Sequence, residues 1–162
     1  MAPHETSKQS PRVRVAMVGL VALVTVANVA NLGLLVHELF MGGVQDGRAL
    51  VYSAVAIWLT NVIVFGIWYF EIDRGGPVAR HSIHHPQPDF AFVQMTTPGV
   101  SPDDWSPGFI DYLYVSFTNA TAFSPTDTMP ITSMAKILMA VQSGAALLTV
   151  LLVAGRAVNI LH

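Results

Sequence analysis

The chain has 162 residues, 52% of them hydrophobic and only 11% charged, with a formal net charge of -2 and no cysteine. That balance excludes an ordinary soluble domain and an electrostatic nucleic-acid binder, which needs a basic patch interleaved with aromatic residues. The missing cysteines also exclude a disulfide framework and thiol chemistry, so the sequence reads as one integral membrane domain.

Residues 1–12 are polar, contain two prolines, and predict a disordered tail. Charge is then absent from Val15 to Val36, from Ala49 to Phe70 and from Ile137 to Gly155. Each run is about 20 residues long, which at ~1.5 Å per residue covers the ~30 Å hydrocarbon core. Three transmembrane helices are therefore predicted, at 13–40, 49–70 and 132–160. The first follows basic residues, as a signal peptide would, but it is too long for a signal core and has no small-residue cleavage site, so it should stay attached. Asn28 and Asn31 lie one turn apart on this helix and share a face. Amides at membrane depth seek partners on another helix or in a wet cavity. Thr60 and Asn61, in the middle of the second helix, are the candidate partners. Trp68, Tyr69 and Phe70 end that helix with the aromatic character of a membrane interface.

A polar connection, 71–106, follows, with Gly75-Gly76 and several prolines. His81, His84 and His85 stand in H-S-I-H-H near Glu71 and Asp73, and are the candidate ligands for a transition metal. Without a second spaced cluster, an exposed loop with no metal is the simpler reading. Ser106-Pro107 carries helix-start chemistry, Ser at N-cap and Pro at N1. A helix should run from there to about Ala120, too short to span a bilayer. From Tyr112 to Thr126 no charge appears, yet the segment is rich in Ser, Thr and Pro, so residues 107–131 read as a re-entrant element. Such backbone is tolerated at membrane depth only where protein buries it or water reaches it. Thr132 is the predicted N-cap of the third span, in which Ala140 and Gly144 form a small-xxx-small pair that permits close helix approach.

The segment S-F-T-N-A-T-A-F-S-P-T-D-T-M-P-I-T, residues 116–132, resembles the pore loop of tetrameric potassium channels. Ser116, Ala120, Thr121, Asp127, Pro130 and Thr132 fall on matching positions, and Lys136 sits where that family often has a basic residue at the start of its inner helix. In place of the family's Thr-Val-Gly-Tyr-Gly stands Ala122-Phe123-Ser124-Pro125-Thr126, which more closely resembles degenerate pore-loop segments of uncharacterised bacterial membrane proteins. The resemblance covers residues 50–160 and leaves the first helix unmatched. It implies an all-α membrane protein with a potassium-channel-like pore domain, its partners being further copies of itself in a homotetramer and the lipid bilayer of a bacterial plasma membrane. It also implies monovalent cations as permeant ions, with no other cofactor and no nucleic acid. The ion pathway would be Thr121, Ala122, Phe123, Ser124, Pro125, Thr126 and Asp127. An inner-helix glycine acts as the family's gating hinge; Ala146 holds the matching position, with Gly144 two residues away.

Several physical points bear on that expectation. A short helix whose C-terminal end faces the middle of the membrane presents roughly half a negative charge there and favours a cation. A ring of Asp127 carboxylates at the mouth would concentrate cations further. Stacked carbonyl rings, however, depend on glycines, and this loop has none. Pro125 also removes an N–H from the support behind the filter. Oxygens from Thr121, Ser124, Thr126 and Asp127 remain, and they predict a wider, hydrated and weakly selective constriction, with Phe123 packed behind it or plugging it. Ser124 to Asp127 equally fits a capping box that shapes a turn and touches no ion. The function read from the sequence is a weakly selective cation channel subunit; the other reading is a non-conducting structural or accessory membrane protein. An enzyme is not expected, because no Ser/His/Asp grouping or intramembrane carboxylate pair is present.

Orientation follows from the basic residues. With the N-terminus inside, Lys8, Arg12, Arg14, Arg74, Arg80 and Lys136 are cytoplasmic, leaving Arg48 and Arg156 outside, and the positive-inside rule favours this arrangement. The re-entrant loop then enters from the cytoplasmic face, inverted relative to potassium channels.

Overall fold

The computed structural model describes residues 11–41, 47–81, 87–102, 105–121 and 128–160. Three helices among them are long and apolar enough to cross a membrane: α1 (Pro11–Phe40), α2 (Gly47–Ile72) and α5 (Ser133–Ile160). Each is apolar all round, the pattern of a helix surrounded by lipid and protein rather than by water. Large side chains such as Leu20, Leu23 and Leu34 of α1, and Ile137, Val141 and Leu151 of α5, face outward. Between α2 and α5 lie β1 (Phe90–Phe92), one turn of helix α3 (Val93–Thr96), α4 (Phe109–Ala120) and β2 (Thr128–Pro130).

Central to the packing is α2. Inside the protein, 44% of its most apolar window is buried, against 17% for α1 and 22% for α5. α1 runs antiparallel to it: Leu32 and Leu35 meet Leu50, Ala54 and Ile57 near one end, and Trp68 Nε1 donates to Thr25 Oγ1 (2.9 Å) towards the other. Asn28 is buried on this face while Asn31 is exposed, so the two amides do not act together as predicted. α1 also begins at Pro11, which takes the last two residues of the predicted tail, Pro11 and Arg12, into the helix; proline suits a first turn because its missing N–H has no partner there anyway.

α4 packs antiparallel along the second half of α2. It starts two residues later than Ser106-Pro107 predicts, because the Asp111 carboxylate accepts the Gly108 N–H (2.7 Å) and makes Gly108 the N-cap. Gly66 lets the helices approach closely: a Cβ there would lie 3.2 Å from the Leu113 Cα. β1 pairs antiparallel with β2, Phe90 opposite Pro130 and Phe92 opposite Thr128. The core between these parts is aromatic, with Phe65, Tyr69, Phe90, Phe92 and Tyr112 buried together. Phe92 and Tyr112 meet edge to face at 5.3 Å between centroids, a favoured geometry for ring quadrupoles. Tyr69, in the predicted interfacial cluster, is fully buried instead.

The predicted polar connection turns back into the protein at its start. Glu71, Asp73 and Arg80 are all buried. Asp73 Oδ1 accepts the amides of Asp89 and Phe90 (2.7 and 3.3 Å), while Oδ2 accepts the Tyr112 hydroxyl. That hydroxyl in turn accepts Arg80 Nη1 (2.7 Å), and Arg80 Nη2 donates to the Phe70 carbonyl (2.6 Å). The guanidinium lies over the Phe70 ring, 4.3 Å from its centroid. Tyr112 thus bridges a buried acid and a buried base. Burial first, and the Asp73 carboxylate next, hold its phenol far above the ordinary range, so it keeps the proton it donates. The chain reverses through Arg74, Gly75 and Gly76, all at positive φ. Non-glycine residues rarely adopt this conformation, and Arg74 is held in it by its N–H donating to Asp89 Oδ2 (3.1 Å).

Tyr112→Phe keeps the ring contacts and removes only the bridging hydroxyl. It should lower the unfolding free energy by about 1.5–3 kcal/mol, the range for hydrogen bonds to charged groups. In thermal unfolding of the purified protein, an added Arg80→Met should then do much less harm than it does alone; a wild-type transition for Tyr112→Phe would contradict the bridge.

Candidate functional site at the inner end of the short helix

α4 is about 18 Å long at ~1.5 Å per residue, roughly half the hydrocarbon thickness. Phe109 packs against Phe70 near the end of α2. Ser116 Oγ donates to the Val62 carbonyl (2.7 Å), and the Ala120 carbonyl accepts Trp58 Nε1 (3.5 Å), close to the midpoint of α2. On the other side, Asn119 meets Met139, Gln142 and Ser143 of α5. The helix therefore stops at mid-height of the bundle.

A helix end leaves its last carbonyls without helical partners, and here one more backbone N–H and several side chains approach them. The Phe117 carbonyl accepts the Thr121 N–H (3.1 Å), and the Thr121 hydroxyl lies within bonding distance of the Phe117 and Thr118 carbonyls (3.0 and 3.1 Å). Ser143 Oγ reaches the Asn119 carbonyl (3.3 Å) and, more closely, Asn119 Oδ1 (2.9 Å). Trp58 completes the set at Ala120.

Behind this end lies a polar cluster around Gln142, which is fully buried. Its Nε2 donates to the Ser116 carbonyl and hydroxyl (2.9 and 2.6 Å), and its Oε1 accepts the Tyr69 hydroxyl and Asn119 Nδ2. Two donor hydrogens and two acceptor lone pairs are the full capacity of an amide side chain, so Gln142 is saturated. The sequence reading did not single out Gln142, although an amide in the middle of an apolar span is itself a signal, because it must find a partner there.

Of the predicted pathway residues, Thr121 caps α4 with its hydroxyl, while Ala122, Phe123, Ser124, Pro125, Thr126 and Asp127 lie outside the described residues. Thr128 is buried in β2, back at the end of the bundle where α4 begins. The two hinge candidates are placed differently: Ala146 is buried against Val62 and Ala120, whereas Gly144 is exposed, with nothing within 4 Å of an added Cβ. His81 ends a 3₁₀ turn, Ala79–His81; its side chain, and His84 and His85 entirely, lie outside the described residues. Among the described residues no three His, Cys, Asp or Glu side chains group as metal ligands. Thr132 caps α5, its Oγ1 accepting the Ala135 N–H (3.3 Å).

By length and composition, then, the described residues hold three helices able to cross a membrane, with the half-length α4 held between two of them. Comparison with known proteins gives no match: no family model, no curated protein and no solved structure matches the chain.

Gln142→Leu preserves bulk but strands the Tyr69 hydroxyl and part of the Asn119 amide. The expected loss is about 1–3 kcal/mol per stranded buried group, read as a lower unfolding temperature in detergent. An unaltered transition would mean that the cluster is not closed by Gln142.

Proposed function

We propose that the chain is the pore-forming subunit of a small cation channel in a bacterial plasma membrane, a homotetramer in which each copy contributes α4 and residues 121–127 to a shared axis. The observation that carries this reading is the path of α4. It enters where α2 ends and α5 begins, stops at mid-height beside Trp58, and the chain is back at the entry end by Thr128, paired with Phe92. That path supports a re-entrant pore helix, as does the resemblance of residues 116–132 to a pore loop. A half-length helix directs roughly half a negative charge at the membrane centre, where it favours a cation. In this reading the oxygens offered to an ion are those of Thr121, Ser124, Thr126 and Asp127, within the pathway segment Thr121, Ala122, Phe123, Ser124, Pro125, Thr126 and Asp127. With no glycine to form carbonyl rings, the pathway is hydrated and weakly selective among monovalent cations. Gly144 and Ala146 are the positions at which α5 would flex.

A second reading, a non-conducting scaffold or accessory protein, is favoured by one specific observation. Gln142, Asn119 and Ser143, the polar side chains nearest the end of α4, bond to one another and to backbone, so they offer little to an ion.

Flux into liposomes separates the two. Purified tetramers should pass monovalent cations above the level of empty vesicles, and Asp127→Asn should reduce that flux several-fold. Unchanged flux with a lower unfolding temperature would assign Asp127 to capping, and no flux from verified tetramers would favour the scaffold.

Orientation has its own test. The N-terminus of α1, the C-terminus of α2 and the N-terminus of α5 share one end of the bundle, so an inside N-terminus brings α4 in from the cytoplasm and carries the far end of α5 outside. A reporter fused after His162 should read periplasmic; a cytoplasmic signal reverses the orientation.

A further inference from the structure

A separate feature lies where α1, α2 and α5 meet. Thr25 and Asn28 of α1, Asn61 of α2 and Thr149 of α5 line a cavity of about 40 Å³, closed by apolar neighbours such as Leu32 and Ile57. Asn61 is only 3% exposed, yet its Oδ1 has no hydrogen-bond partner among the described residues. Nor can the two hydroxyls supply a hydrogen to it. Thr25 donates to the Val21 carbonyl (2.7 Å) and accepts Trp68 Nε1, and Thr149 donates to the Ala145 carbonyl (2.8 Å). What the threonines present to the cavity is lone pairs, as Asn61 Oδ1 does. Asn61 Oδ1 is therefore left without a hydrogen, while the Asn28 and Asn61 amide nitrogens bring donors of their own, so the site suits an occupant that both donates and accepts.

We infer that this cavity is a binding site for internal water, which donates to Asn61 Oδ1 and links it to Asn28 and Thr149. A water molecule needs about 10–15 Å³ of such space and two to four polar partners. The volume exceeds that requirement at least twofold, and four polar side chains line it. An apolar occupant would leave Asn61 Oδ1 stranded in surroundings that bulk water does not reach. The bound water adds a polar link between α1 and α2 to those of Arg14 beside Glu71 (3.9 Å) and Trp68 on Thr25 (2.9 Å). The site does not depend on whether the protein conducts ions.

The test uses the full chain in lipid nanodiscs. Oxygen-17 relaxation dispersion should detect a long-lived internal water in the wild type and lose it in Asn61→Leu. If Asn61→Leu does not fold, Asn28→Leu is read in the same way. In thermal unfolding, Asn28→Leu and Asn61→Leu should each lower the transition by several degrees, and the double variant should fall no further than the worse single one, as expected for groups joined through one occupant. Two results would overturn the site: a relaxation profile indifferent to Asn61→Leu, or additive losses. A third would reassign it to a cation: stabilisation of the wild type, but not of Asn61→Leu, by sodium over choline at equal ionic strength.

Discussion

A helix that stops at mid-height of a bundle must find partners for its last carbonyls, and much of this structure is arranged around that requirement. The Thr121 N–H and hydroxyl, the Ser143 hydroxyl and the Trp58 indole lie within hydrogen-bond distance of the four carbonyls at the inner end of α4, and they come from α4's own end, from α5 and from α2. To bring all three together, α4 must lie close to both long helices at once. Gly66 removes the side chain that would otherwise hold it off α2. Ser116 then bonds to α2 and receives Gln142 from α5. Ser116 and Gln142 are fully buried, so loss of their mutual contact leaves a buried polar group unpaired.

The outer end obeys a different rule. Glu71, Asp73, Asp89, Arg14, Arg74 and Arg80 gather there, three acids with three arginines. Asp73 and Arg80 are buried without direct contact between them, and Tyr112 carries the interaction by donating to one and accepting from the other. A buried charge left unpaired is far more costly than a paired one. The same cluster qualifies the orientation argument. Arg14 stands beside Glu71 and Arg74 beside Asp73, so part of the positive charge counted for this end is already answered within the protein.

Much of the architecture is legible in the residues. Absence of charge over about 20 residues is sufficient to mark a spanning helix, and all three spans follow from it. α4 is legible as a separate short helix because Ser-Pro punctuation precedes it and Ser, Thr and Pro follow it. Its first residue is not, because Asp111 competes with Ser106 for the start and prevails by accepting the Gly108 N–H. Spacing along α1 placed Asn28 and Asn31 together, but helix packing divided them, since which part of a face is covered depends on the neighbour's position. Glu71, Asp73 and Arg80 looked like a solvated connection because their partners, Arg14 for Glu71 and Tyr112 and Asp89 for the other two, are distant in the chain. Gln142 passed as one more residue of an apolar run, and only its three partners, Tyr69, Ser116 and Asn119, all distant in sequence, give it meaning.

The two partners that α5 lends to α4 have a bearing on how the protein is made. Gln142 and Ser143 are translated after α4, so when α4 leaves the ribosome half of the surface that will receive its inner end does not yet exist. The bonds of Asn119 to Gln142 and Ser143 can form only once α5 is in place, and the β1–β2 pairing joins the chain before α4 to the chain after it.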